Sequence, residues 1–337
     1  MDPVDALDRV ATLLERKRAG RYKEQAFRKA ADAIRDIPTS ELQELASSGK
    51  LERLPGIGSS TGEVVAQSLA GEVPRYLARL EAEAAPDAGP GAPIRAALKG
   101  DLHMHSTWSD GGASIEAMAR KAAALGHDYM ALTDHSPRLT IAKGLTAERL
   151  REQLDVIANL NEELAPFRIL TGIEVDILED GALDQSDDLL AQLDVVVASV
   201  HSKLRMPEQP MTDRMIAAMA NPHTDVLGHC TGRIVVGKGR PESTFDPDLV
   251  FGVCAHFDKA VEINCRPERL DPPMRLLEQA IATGCKVSID TDAHAVGQLE
   301  WQPYGCERAA EAGVDVDAVV NSWPVDRLLE WTASHAA

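Results

Sequence analysis

An α/β fold with a parallel sheet, preceded by a small helical domain, is predicted by three observations. From Asp101 onward, seven short apolar, β-rich runs alternate with helical patterns. Residues 1–80 carry helical periodicity alone. Between the two, residues 81–98 are rich in Ala, Pro and Gly, the composition of a linker. The remaining 99–337 would form one domain. A closed barrel and an open doubly wound sheet both fit this alternation.

The elements follow in order. Leu7, Val10, Leu13 and Leu14 recur at helical spacing within residues 4–36, with a break at Gly20 and a second helix over about Lys23 to Arg35. A third helix starts at Thr39/Ser40 and stops near Gly49. Leu54-Pro55-Gly56-Ile57-Gly58 reads as a turn, and Ser59 to Leu69 as the helix after it. Strands are expected at 101–105, 129–133, 167–177, 194–200, 225–229, 260–264 and 286–291. Helices are expected near 114–126, 146–164, 184–192, 211–220, 246–258 and 272–284, with one or two more beyond 303.

Composition narrows the function classes. The chain has 337 residues, 44% apolar and 26% charged, as in an ordinary globular protein. No apolar run reaches the ~18 residues of a membrane span, and no signal-peptide pattern opens the chain. Five cysteines without C-x-x-C spacing read as reduced thiols in a cytoplasmic protein, with Cys230 set apart because it follows a candidate ligand. The net charge of −18 is uneven: residues 1–80 carry +1 and the rest −19. An acidic chain is a poor duplex binder, so any nucleic-acid footprint falls on the N-terminal domain, at Arg16-Lys17-Arg18, Arg21 and Lys23. A solvated helix face is the plain alternative for that cluster.

The chemistry lies at the strand ends. His103 and His105 alternate along the first strand, so both imidazoles should leave one face. Asp110 follows in Trp108-Ser109-Asp110-Gly111, His135 ends the second strand, and Glu174 lies in the third. His201, His229, and the pair Asp292 and His294 end the fourth, fifth and seventh. The sixth offers Asn264, a poor ligand. Each residue alone has an ordinary structural reading, as a helix cap, a core histidine or an ion-pair partner. Nine of them at strand C-termini do not, because parallel α/β folds converge those ends on one site.

Nine nitrogen and oxygen donors exceed what one ion takes, so two or three ions sharing a bridging carboxylate are implied. Mixed imidazole and carboxylate donors suit Zn²⁺, Mn²⁺ or Fe rather than Ca²⁺ or Mg²⁺. Clustered divalent ions generate hydroxide near neutral pH and clamp a phosphoryl group in displacement. Phosphate also needs cations. Arg233 and Arg240 lie in a Gly-rich loop past His229, with Lys203, Arg266 and Arg269 as further candidates; surface ion pairs are the alternative.

The order H-x-H, Asp-Gly, T-D-H, G-x-E, V-x-S-x-H, G-H and D-x-D-A-H through residues 99–300 resembles the polymerase-and-histidinol-phosphatase (PHP) superfamily. That resemblance implies a distorted (β/α)7 TIM-like barrel, three divalent ions and phosphoesterase activity. It implies one ion on His103, His105, Glu174 and Asp292, the four candidate catalytic residues. Glu174 would bridge to a second on His201 and His229, with a third on Asp110, His135 and His294. The Leu54–Gly58 turn and its helix resemble a helix-hairpin-helix motif, which implies DNA-phosphate contact at Gly56, Gly58 and Ser59. The small all-α domain so formed, with Thr231-Gly232-Arg233 and Glu262-Ile263-Asn264 in the barrel, resembles bacterial family X DNA polymerases. Only the linker stands where their palm and fingers would be, so no polymerase activity is expected. The helix after the hairpin, Ser59-Ser60-Thr61-Gly62-Glu63-Val64-Val65, has no lysine, so no Schiff-base lyase activity is expected either.

A metal-dependent phosphoesterase acting on DNA ends, as 3′-5′ exonuclease or 3′-phosphatase, is the leading expectation. A small-molecule phosphatase of histidinol-phosphatase type is the alternative. A non-catalytic DNA-binding or metal-storing module is the third, disfavoured by the intact ligand set.

Overall fold

A computed structural model of the chain describes residues 1–17, 21–83 and 89–336. Arg18 and Gly20 of the expected basic cluster and helix break, and residues 84–88 of the expected linker, lie outside the described residues. The chain divides into two compact units, Met1–Asp87 and Ala88–Ala337.

The first unit is helical. It comprises α1 (Pro3–Arg16), α2 (Arg21–Ile34), α3 (Thr39–Ser47), α4 (Ser59–Leu69) and α5 (Arg75–Glu83). Asp2 caps α1 by accepting the Val4 N–H, worth about 1 kcal/mol. Leu7, Val10, Leu13 and Leu14 of α1 meet Phe27 and Ile34 of α2 and Val65 of α4 in one buried core. Removing such side chains from water drives the packing. The turn before α4 depends on Gly56, whose φ of +88° suits a residue without Cβ. Ile57 is buried beneath it, while Gly58, Ser59 and Ser60 are exposed. Thr61 Oγ1 accepts the Gly58 N–H at 2.8 Å and fixes the start of the helix.

The second unit opens with α6 (Ala92–Ala97) and is built on seven parallel strands in sequence order. They are β1 (Gly100–Asp101), β2 (Tyr129–Leu132), β3 (Arg168–Asp176), β4 (Val195–Ser199), β5 (Val226–Leu227), β6 (Ala260–Asn264) and β7 (Lys286–Asp290). Between them run α7 (Ile115–Ala124), α8 (Ala147–Leu164), α9 (Asp187–Leu190), α10 (Glu208–Met219), α11 (Pro247–His256) and α12 (Met274–Ala282). After β7 come α13 (Gln302–Glu311) and α14 (Val325–Ser334). The sheet is a nearly closed barrel, which decides between the two architectures the alternation left open. Its first and last strands meet through a Met104–Ala293 bridge and through carboxylates. Asp290 accepts the Leu102 N–H at 2.7 Å, and Asp101 accepts the Thr291 hydroxyl at 2.6 Å. Side chains therefore replace part of the missing backbone ladder.

Two expectations need adjustment. The segment 81–98 is not all linker: α5 runs to Glu83, and α6 buries Ile94 in an apolar cluster with Trp301 and Ile289. Ala, Pro and Gly there are helix-starting and close-packing residues, as the approach of Gly91 to the Cys306 backbone shows. The first strand stops at Asp101, so His103 and His105 stand on the extended stretch beyond it. Asp101 and Asp290 take backbone amides that ladder carbonyls would otherwise accept.

His127, 5% exposed after α7, gives a stability prediction. Burial, with help from Arg95, pushes its pKa down to about 4. Between that value and the ordinary ~6.5 the unfolded chain binds the extra proton and the folded chain does not, so stability falls as pH falls through this window. From pH 7.5 to 5.0 the wild type should lose about 2 kcal/mol more than His127→Gln. Urea unfolding followed by tryptophan fluorescence checks this, since Trp108, Trp301, Trp323 and Trp331 all lie in the second unit. Equal losses would remove His127 from the pH dependence.

Candidate metal centre

Barrel geometry delivers the nine predicted side chains to one place. β2, β4, β5 and β7 end within three residues of His135, His201, His229 and Asp292. His294 follows two residues on, and the loop after His105 carries Asp110. Glu174 sits near the end of β3, bridged to His135 on one side and paired with Val197 on the other.

Glu174 is the hub. Its Oε1 lies 2.9 Å from His229 Nε2 and 3.2 Å from His201 Nε2. Its Oε2 lies 2.8 Å from His135 Nδ1, 3.4 Å from His103 Nε2 and 3.6 Å from His105 Nε2. Asp292 Oδ1 lies 3.4 Å from His105 Nε2. On the outer side, Asp110 Oδ1 faces His294 Nε2 at 3.4 Å and His135 Nε2 at 3.5 Å. Four groups have donor atoms close enough to share an ion: His105, Asp110, His135 and His294; His103, Glu174 and His229; His103, His105 and Asp292; His135, Glu174 and His201. Histidines 103, 105 and 135 each belong to two groups, so neighbouring sites share a wall.

The donors fit metal. Both Glu174 oxygens, His103 Nε2 and both ring nitrogens of His105 are buried without a hydrogen-bond partner. Leaving such atoms unmatched costs about 1–3 kcal/mol each, which a bound cation would offset. Charge tells the same story. Burial opposes ionisation of Glu174, but His201, His103 and His135 outweigh it and hold the carboxyl well below its ordinary value. Burial likewise opposes the charge on Asp292, and Arg266 and Arg269 overcome it. His201 is raised to about 9, burial being outweighed by Glu174 and Asp176. His105 is pushed well down by burial and by His294 and His135.

A layer of carboxylates aims the ligands. Asp176 accepts the His201 backbone N–H at 3.0 Å. Asp134, beside His135 in the sequence, is no ligand: it accepts from the Ser106 amide and hydroxyl and from Gln153, pinning the loop toward Asp110. Asp292 holds a φ of +50°, a conformation costing about 1 kcal/mol that turns its side chain toward His105. Glu262, in the Glu262-Ile263-Asn264 segment, is fully buried and 2.6 Å from His103 Nδ1. Its signal was weak because a lone glutamate in a strand is ordinarily solvent-facing.

The cation candidates separate. Arg269 reaches the centre: its Nε lies 3.2 Å from Asp292 Oδ2, and its buried Nη1 has no hydrogen-bond partner. Arg266 donates to the Asp292 carbonyl and approaches His294 Nδ1 at 3.1 Å. Arg233 is not brought to the cluster. It donates to the carbonyls of Arg269 and Leu270 and to Glu242, so it builds the loop that carries Arg269. Arg240 donates to the Gly232 carbonyl at 2.5 Å and lies near enough to Arg269 for their charges to repel. The Lys203 side chain is 63% exposed and faces Glu179 at 4.0 Å, away from the ligands. Cys230 is buried beside Asp271, and burial holds its thiol pKa well up, which sets it apart from the centre. All five cysteines are unpaired. Among the described residues, no helix is long and apolar enough to cross a membrane.

The sequence profile of the PHP domain matches residues 101–281, and that of a helix-hairpin-helix domain matches residues 1–73. The DNA polymerase/3′-5′ exonuclease PolX of Bacillus subtilis is 43% identical over 225 residues, spanning 67% of this chain and 39% of that protein. The match thus covers about two-fifths of PolX. A probable phosphatase of Thermoanaerobacter is 29% identical over 237 residues, 66% of this chain and 89% of its own. Among solved structures, the zinc-, L-histidinol- and phosphate-bound histidinol phosphate phosphatase of Lactococcus lactis aligns with a TM-score of 0.49 and 18% identity. That alignment covers 65% of this chain and 95% of the other.

Proposed function

The chain belongs to the PHP domain family and is a metal-dependent phosphoester hydrolase, and from that premise we propose that it acts on DNA 3′ ends, as 3′-5′ exonuclease or 3′-phosphatase. The observation that carries the hydrolytic centre is the convergence of five histidines on the two oxygens of Glu174. The nine residues 103, 105, 110, 135, 174, 201, 229, 292 and 294 are assigned to three divalent ions, of Zn²⁺, Mn²⁺ or Fe by donor type. When bound, such ions activate water and neutralise phosphate charge.

The chain's own residues do the rest. Arg269 sets its guanidinium charge beside Asp292, where it would attract a non-bridging phosphate oxygen, and Arg266 steadies the same carboxylate. Glu174 stands at the point on which the five imidazoles converge. The barrel walls bury His103, His105 and Glu174 to 1% exposure or less, which excludes bulk water. DNA engagement is assigned to the first unit, where Gly58, Ser59 and Ser60 are exposed at the start of α4. Ser59 and Ser60 belong to the first turn, where a helix leaves N–H groups for a phosphate, while the Gly58 N–H is already taken by Thr61 Oγ1.

A second reading has its own support. Residues 81–337 carry −19, and the Thermoanaerobacter phosphatase aligns over most of its own length. A small phosphomonoester would not meet the repulsion that DNA would. The deciding assay gives the full chain Mn²⁺ and compares single-stranded and 3′-phosphorylated oligonucleotides with small phosphomonoesters. Oligonucleotide turnover that drops about tenfold in Ser59→Glu, with weaker oligonucleotide binding, is expected of the DNA reading. Brisk hydrolysis of small esters with intact oligonucleotides would replace it by the second.

A further inference from the structure

Glu262 is the only ionisable residue of β6, and its side chain is fully buried inside the barrel. None of the nine assigned ligands lies on that strand. Yet Glu262 is linked to residues that follow three others, two of them directly and one through Asn264. Its Oε1 accepts from His103 Nδ1 at 2.6 Å. Its Oε2 accepts the His229 backbone N–H at 2.5 Å and the Asn264 amide at 3.2 Å. The same Asn264 amide nitrogen lies 3.2 Å from Asp292 Oδ2. One carboxylate therefore reaches the ligand residues that follow β1 and β5 directly, and the one that follows β7 through Asn264.

We infer that Glu262 is the positioning residue of the metal centre, setting the tautomer of His103 and the placement of His229. The inference rests on the metal-centre reading above. Imidazole has one proton to place when neutral. A carboxylate at Nδ1 keeps the proton there, which leaves Nε2, the nitrogen facing Glu174, with a free lone pair. A carboxylate also raises the donor strength of that lone pair. Glu262 has no group of its own within the four ligand clusters, so its effect passes through His103 and His229.

Glutamine at this position makes the argument testable, because it matches glutamate in shape but not in hydrogen bonding. Its carbonyl oxygen must face the His229 N–H and the Asn264 amide, which both donate. Its NH₂ then faces His103 Nδ1 and forces the proton onto Nε2, the metal-facing nitrogen. The full chain, stripped and reloaded with Zn²⁺, should bind the ion held by His103 about 10–100-fold more weakly as Glu262→Gln. Metal analysis after dialysis against buffered zinc reads this directly. Imidazole ¹⁵N spectra should show the protonated nitrogen of His103 change from Nδ1 to Nε2. The thermal midpoint of the metal-free protein separates positioning from folding and should change little. Wild-type zinc affinity in a folded Glu262→Gln protein overturns the inference while leaving the metal centre standing. A wild-type chain that binds no divalent ion overturns both. Should Glu262→Gln not fold, Asn264→Ala decides: weaker zinc retention supports the inference, and unchanged retention overturns it.

Discussion

Glutamine in place of Glu174 should abolish phosphoester turnover, with kcat/KM falling by at least about 10³-fold for oligonucleotides and small esters alike. Each carboxylate oxygen faces imidazoles, one those of His201 and His229 and the other those of His103, His105 and His135. An amide supplies one acceptor and one donor group. Whichever way it turns, its NH₂ faces imidazole nitrogens on one side and cannot ligate. The proposed bridge between two ions is then broken, and metal content should fall together with activity. Steady-state kinetics and metal analysis on the same preparation check this. The fold should persist, since Glu174 is fully buried and glutamine occupies the same volume. Wild-type turnover by Glu174→Gln would remove Glu174 from the centre and with it the assignment of the four catalytic candidates.

The histidines were legible because each stands just past an apolar run, and a parallel barrel turns that one-dimensional position into convergence. Thr133-Asp134-His135 and Asp292-Ala293-His294 show where this logic stops. In the first pair the aspartate supports a loop and in the second it faces the ligands, although both directly follow a strand end. The difference comes from the φ of +50° at Asp292, which no hydrophobic pattern encodes. Glu262 was hidden for a related reason. A strand inside a barrel points alternate residues at a polar interior as well as at the helices, so period 2 marks the face but not what lies across from it. The short β1 and the helix over Ala92–Ala97 were missed because side-chain carboxylates and close glycine packing replaced the local signals.

The arginines show the same limit at the level of single side chains, and they carry the second large effect. Arg233 and Arg269 both lie in loops past strand ends, and sequence alone ranked Arg233 higher. Donors to the Arg269 and Leu270 carbonyls make Arg233 a brace. Arg269, its side chain 15% exposed against Asp292, is the one whose guanidinium keeps a buried nitrogen unmatched. The exposed part of that guanidinium is left to a substrate phosphate. Arg269→Ala should therefore lower kcat/KM about 10²–10³-fold, equivalent to roughly 3–4 kcal/mol of lost charge-assisted binding in a water-poor site. Arg269→Lys should recover only part, because an ammonium cannot hold Asp292 and a phosphate oxygen with one planar fork. Inorganic phosphate should inhibit both variants more weakly than the wild type, while bound metal stays unchanged. Loss of metal in Arg269→Ala would instead make the arginine a support for Asp292, and unchanged phosphate inhibition would take it out of the substrate site.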